Sequence, residues 1–181
     1  MTSSDRRLAT LTGDHDLAVR EFVTRAASIP PSRWQTPRAP GKWTPAQETR
    51  HVTLVYEEFL RQLADGPPIR LRGTPLKRLL WRAIGLTSIL WFRKIPAAVN
   101  APREIRPETE ERSADAVLAE LEDRVRRFNL TFDGAWRTMP RRTLQHPLFG
   151  RVSLDQSIRF LTVHTRHHAA FLPPAPLQSN R

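Results

Sequence analysis

The stretch "FLTVHTRHHAAFLP", Phe160 to Pro173, sets three histidines within five residues of an otherwise apolar run. The whole chain has six histidines, so half of them lie here. Residues four apart on a helix share a face. On that phase an apolar stripe runs through Leu154, Ile158 and Leu161, and is continued by His164, His168 and Phe171 or Leu172. Two imidazoles thus take core positions one turn apart, with Thr165 flanking them. His167 is rotated about 100° from His168, toward the edge of the stripe. The helix is predicted to start at Ser153, where Gln156 three residues on completes a capping box. It should run to Leu172, before Pro173-Pro174.

Three more long helical patterns precede it. The first spans roughly Asp5 to Ala27, with Leu8, Leu11, Val19, Phe22 and Ala26 on one face and Gly13 as a weak point. A loop with four prolines, "IPPSRWQTPRAPGKW", follows. The second helix opens at "WTPAQ": Thr44 is the cap, Pro45 fits the first helical position and Gln47 completes a capping box. It should end near Ala64. The third starts near Ser113, carries Ala116, Val117, Leu118, Leu121, Val125 and Phe128, and should end around Asp133-Gly134. No convincing strand pair, Asn-Gly hairpin or internal repeat is seen. The expected fold is all-α. It is a four-helix bundle forming one domain over residues 1–173, followed by a flexible tail at 174–181.

The second and third helices are joined by a long basic insertion, residues 66–103. It contains "TPLKRLLWRAIGLTSILWFRKI", which reads as one or two extra amphipathic helices. The net charge is +11, and this segment supplies eight uncompensated basic residues with no acidic one. The charge is therefore local. Its most apolar window, Leu79 to Phe92, contains Arg82 and falls short of the roughly 20 residues a spanning helix needs. The N-terminus has no apolar segment behind its charges. The expected location is the cytoplasm. The chain has no cysteine, which excludes disulfides, thiolate metal sites and a cysteine nucleophile.

The second helix repeats the anomaly of the last. Val55, Phe59 and Leu63 mark its core face, and the position one turn before Val55 is His51. Two helices thus place imidazole where apolar side chains belong. One reading is a set of core histidines hydrogen-bonded to neighbours. The other is a shared cation, because burying unpartnered imidazoles costs a few kcal/mol per group. His164, His168 and His51 would then form one face of a coordination sphere and leave positions open, as catalytic sites do.

"GKWTPAQETRHVTLVYEEF" (residues 41–59) and "HPLFGRVSLDQSIRFLTVHTRHHAAFL" (residues 146–172) resemble the two signature regions of the DinB/YfiT-like superfamily. The first pairs a Trp and a capped helix start with a His about two turns in. The second has a His-Pro…Phe-Gly loop before a helix bearing a His-x-x-His-His cluster. The resemblance implies a four-helix bundle, usually dimeric, with a divalent metal held by His51, His164 and His168. It also implies one of two chemistries. Relatives include transferases and isomerases that use low-molecular-weight thiols such as mycothiol or bacillithiol, and suspected metal-dependent hydrolases. An open metal position suits both.

Other residues are weighed beside these. His167 is a candidate proton shuttle, or simply a neighbour of the site. Glu58 is a candidate for orienting a ligand, or an exposed carboxylate paired with an Arg. His146 is either a turn residue or part of a pocket mouth. His15 is expected to be partly exposed and not a ligand. Trp43 is expected to pack rather than touch substrate. The insertion has three readings: a dimerisation surface, which is preferred, an anion-binding lid, and an interfacial helix against anionic membrane. Nucleic acid is not an expected partner, since no reader motif is present. No nucleotide-binding Gly loop, Gly-x-Ser-x-Gly or His-Glu-x-x-His occurs.

The histidine pattern predicts a metal site, and the resemblance implies a metal-dependent enzyme, a thiol-dependent S-transferase or a hydrolase. It would act on a small molecule with a divalent Zn, Ni or Fe ion and, in the first case, a thiol cosubstrate. The rival is a non-enzymatic bundle with a structural or vestigial metal site that binds anionic surfaces through its insertion.

Overall fold

Side-chain caps fix where the long helices begin. In α1 (Ser3–Ala27) the cap is Thr2, closed reciprocally by Asp5. In α3 (Pro45–Leu63), Thr44 Oγ1 accepts from the Gln47 amide at 3.2 Å, and Gln47 Oε1 accepts from the Thr44 amide at 3.0 Å. Ser113 caps α5 (Ala114–Thr138), and Ser153 with Gln156 caps α6 (Leu154–Ala169). Each cap satisfies an amide that the first turn would leave unpaired. The computed structural model describes residues 2–95, 101–108 and 112–174.

The structure is mostly helical. α1 packs along α6 and meets α5, while α3 packs along α5 and meets α6. Their facing stripes supply the core: Phe22 from α1, Tyr56 from α3, Phe128 and Phe132 from α5, Ile158 and Leu161 from α6. The proline-rich loop holds a short turn of helix, α2 (Pro31–Trp34), which buries Trp34.

α1 runs through Gly13, as expected. Two helix ends differ from expectation. α5 continues past Gly134 to Thr138. A glycine in a helix costs about 1 kcal/mol. In α5 that cost is met by the packing beyond it, where Ala135 is buried and the Trp136 indole donates to Ser4 Oγ at 3.1 Å. α6 ends at Ala169 instead of Leu172, although Leu172 remains buried in the turn that follows.

The largest correction is a β-hairpin. β1 (Thr143–His146) pairs antiparallel with β2 (Gly150–Ser153), so the fold is not purely α. No Asn-Gly signal marks this turn because a histidine builds it. His146 Nδ1 accepts from the Leu148 and Phe149 amides at 3.2 and 3.4 Å. Gly150 then takes the left-handed conformation at φ +69°.

The basic insertion is helical, as expected. α4 (Pro75–Trp81) continues into π-helical turns at Arg82–Leu86 and Ser88–Phe92. Its inner side is pinned to the hairpin: Arg82 donates to the Phe149 carbonyl at 2.9 Å, and Gly85, Leu86 and Ile89 are buried. A 3-10 turn, Arg103–Ile105, brings the chain back across α3. The expected tail lies, from residue 175 onward, outside the described residues. Among the described residues no helix is long and apolar enough to cross a membrane.

Candidate metal centre

α3 and α6 meet where each carries imidazole in place of an apolar side chain. His51 lies on α3, and His164 and His168 lie one turn apart on α6; all three are buried. His51 Nε2 is 3.2 Å from His164 Nε2. The ring centroids of His51 and His164 are each within 4.6 Å of that of His168. One ligand nitrogen from each of the three residues lies within 4.8 Å of the others.

The outer nitrogens of two rings are tied down. His51 Nδ1 donates to the Ile105 carbonyl at 2.6 Å, and His168 Nδ1 shares a hydrogen bond of 2.6 Å with Glu48 Oε2. The first bond places the proton on Nδ1, and Glu48 does the same for His168 when it is ionised; each then leaves the Nε2 lone pair as the donor atom. His164 Nδ1 has no hydrogen-bond partner among the described residues. Trp43 covers the cluster, with its ring 4.8 Å from that of His51.

Burial sets the charge state. It lowers the His51 pKa to about 4, and it holds His164 and His168 well below the ordinary imidazole value, helped by repulsion from neighbouring imidazoles. All three are therefore neutral at pH 7, the form that binds a cation. Burial lifts the Glu48 carboxyl to about 7, against the pull of the Arg38 charge. The donor set fits a metal. Two imidazole nitrogens on one cation at zinc-type bond lengths lie about 2.9–3.4 Å apart for right-angled to tetrahedral geometry. The His51–His164 separation falls in that range, and all three ligand nitrogens lie within 4.8 Å of one another.

The cluster faces a cavity of about 730 Å³. Its walls include Val55, Phe59 and Phe160 from the helices, Phe149 from the hairpin, and Trp81 and Ile89 from the insertion. Arg38, Lys42 and Arg106 also line it. A family model described as the DinB superfamily matches residues 15–172. The chain belongs to the DinB superfamily. Neither the curated proteins nor the solved structures include a match.

This DinB-superfamily chain brings together the three histidines expected from helical phase. The further candidates stand as follows. His167 is half-buried, packs its ring on Phe171 at 4.6 Å and lines the cavity. Glu58 is buried, not exposed. It accepts from Gln62 at 2.7 Å and from the Ile69 amide at 3.0 Å, and it pairs with Arg61. The Arg pairing was expected; the burial follows from its stapling the end of α3 to the start of the insertion. The carboxylate that holds a cluster imidazole is Glu48. It escaped the sequence reading, although it sits three residues before His51 on the same face of α3.

His146 caps the hairpin turn and also lines the cavity. Trp43 both packs on the imidazoles and lines the cavity. His15 corrects the expectation of partial exposure: it is fully buried, and its Nε2 lies 2.8 Å from the Tyr56 hydroxyl. α1 does not fray at Gly13, so His15 stays in phase with Ala18 and Phe22. Tyr56 continues to Thr165 Oγ1 at 3.1 Å, joining α1, α3 and α6 beside the cluster.

Proposed function

We propose that His51, His164 and His168 hold a divalent cation in a four-helix bundle, and that the chain is a metal-dependent enzyme acting on a small molecule. One observation carries the reading. Three neutral imidazoles converge on the wall of a mostly apolar cavity, and two of them have their outer nitrogens locked. When bound, a divalent cation supplies Lewis-acid activation of a water or a small thiol. That corresponds to hydrolysis or to thiol-dependent S-transfer.

The chain's own residues have definable parts in this chemistry. Glu48 and the Ile105 carbonyl hold two imidazoles in one tautomer and orientation. Trp43 and the aromatic walls limit water around the cluster. Arg38, Lys42 and Arg106 offer positive charge to an anionic part of the substrate. The open cavity favours an enzyme over a bundle whose metal site is structural or vestigial, because closed structural sites leave no room for substrate. The family resemblance supports a homodimer, and a cytoplasmic location goes with this reading.

The test is conjugation of small thiols to monobromobimane, together with hydrolysis of activated esters and amides, each with and without chelator. Turnover lost on chelation and restored by Zn, Ni or Fe supports the reading. Stoichiometric metal with no turnover in any assay would favour the non-enzymatic alternative.

A further inference from the structure

The outward side of the insertion is more apolar than the rest of the surface. Leu76, Leu79, Leu80, Ile84, Trp91 and Phe92 are six of the ten large apolar side chains that stand exposed among the described residues. Trp91 is 80 % exposed and Leu76 76 %. All six belong to one helical run from Pro75 to Phe92, and the first four follow a helical spacing. The inner side of the same run already packs on the hairpin and walls the cavity. The exposed stripe is therefore surplus to the core.

Positive charge surrounds it. Arg70, Arg72, Lys77, Arg93 and Lys94 are exposed, and residues 66–103 include no acidic residue. Only Arg93 of these five pairs with a carboxylate among the described residues, Asp14 at 2.6 Å. Apolar and aromatic side chains between unpaired cations match the two terms that hold a helix on an anionic bilayer, burial at the headgroup boundary and Coulomb attraction.

We propose that the 70–94 segment is a docking surface for an anionic lipid bilayer, on which α4 and its π-helical continuation lie without crossing it. Two other occupants fit less well. A twofold interface sets the same patch of each copy against the other, which would bring two uncompensated basic segments together. Nucleic acid offers stacking to Trp91 and Phe92 but nothing to the four aliphatic side chains.

The test is co-flotation of the full chain with vesicles of phosphatidylcholine alone or with about 30 % phosphatidylglycerol. Binding to the anionic vesicles alone is expected at low ionic strength, with a loss of at least about tenfold near 0.5 M salt. Lys77→Gln, Lys94→Gln and Arg72→Gln should each weaken partitioning about fivefold. A combined Leu80→Ser, Trp91→Ser, Phe92→Ser variant alters exposed positions only and should weaken it at least as much as any of these. His51→Ala should bind vesicles like the wild type, which separates this surface from the metal centre.

Three results would overturn the proposal. One is absence of vesicle binding at low salt. Another is binding unaffected by the apolar substitutions and matched by a single-stranded oligonucleotide. The third is a dimer, seen by sedimentation, that the same substitutions dissociate.

Discussion

Glu48 and His168, on α3 and α6, share a hydrogen bond of 2.6 Å, and both side chains are buried. With Glu48 ionised the bond places the proton of His168 on Nδ1 and leaves Nε2 as its metal-binding nitrogen. Glu48→Ala should therefore lower metal affinity by about 10- to 100-fold while leaving the helical circular dichroism intact. Glu48→Gln keeps an acceptor and should lose less. Competition with a chromophoric chelator measures both. Unchanged affinity in the alanine variant would remove Glu48 from the site.

The Tyr56 hydroxyl links His15 to Thr165 in the core. Tyr56→Phe keeps the ring but strands both partners. Leaving buried polar groups unpaired costs about 1–3 kcal/mol, so the urea midpoint should fall by that equivalent. A loss within error would mean that the two partners re-pair elsewhere.

Gly85 lies where a Cβ would approach Phe149 Cε1 to 2.9 Å and Trp81 Cε3 to 3.1 Å. Gly85→Ala gains up to about 1 kcal/mol of helix propensity, but overpacking costs about 1–3 kcal/mol. A net loss of stability is expected, with faster proteolysis between residues 70 and 94. Stabilisation would show that the insertion shifts freely on the hairpin.

Acid should destabilise the metal-free protein. Burial lowers His146 to about 3 and His51 to about 4, and shifts His164 and His168 the same way. Below the ordinary imidazole value the unfolded chain takes up protons that the folded chain cannot. Stability is thus full above about pH 6.5 and falls toward pH 3–4. Each histidine contributes at most about 1.4 kcal/mol per pH unit. Glu48 acts oppositely. Its folded pKa is raised to about 7, so its contribution is lost as pH rises through that value. Four histidines outweigh one carboxyl. Urea midpoints at several pH values with chelator present check the sign, and a midpoint that rises on acidification would contradict it.

Much of this was legible in the chain because it depends on helical phase and local caps. Thr44 with Gln47 and Ser153 with Gln156 form the boxes their spacing announces. The i, i+4 relation of His164 and His168 placed them on one face. The hairpin was not legible, because a histidine side chain makes its turn where Asn-Gly would ordinarily announce one. The burial of His15 was not legible, because Gly13 locally weakens the helix while the packing that overrides it comes from other helices. Glu48 was missed although it precedes His51 by one turn. Its partner lies on another helix, and nothing local to "QETRH" marks a carboxylate as buried. The Ile105 carbonyl lies beyond sequence reading altogether, since backbone carries no residue signature.

The central claim is that three imidazoles hold one cation. Metal content of tag-free protein by plasma mass spectrometry, for the wild type and for His51→Ala, His164→Ala, His168→Ala and His167→Ala, tests it most directly. About one equivalent is expected in the wild type and in His167→Ala, with loss in the other three. Metal retained by all of the first three variants, or lost from His167→Ala and kept by His168→Ala, would contradict the assignment.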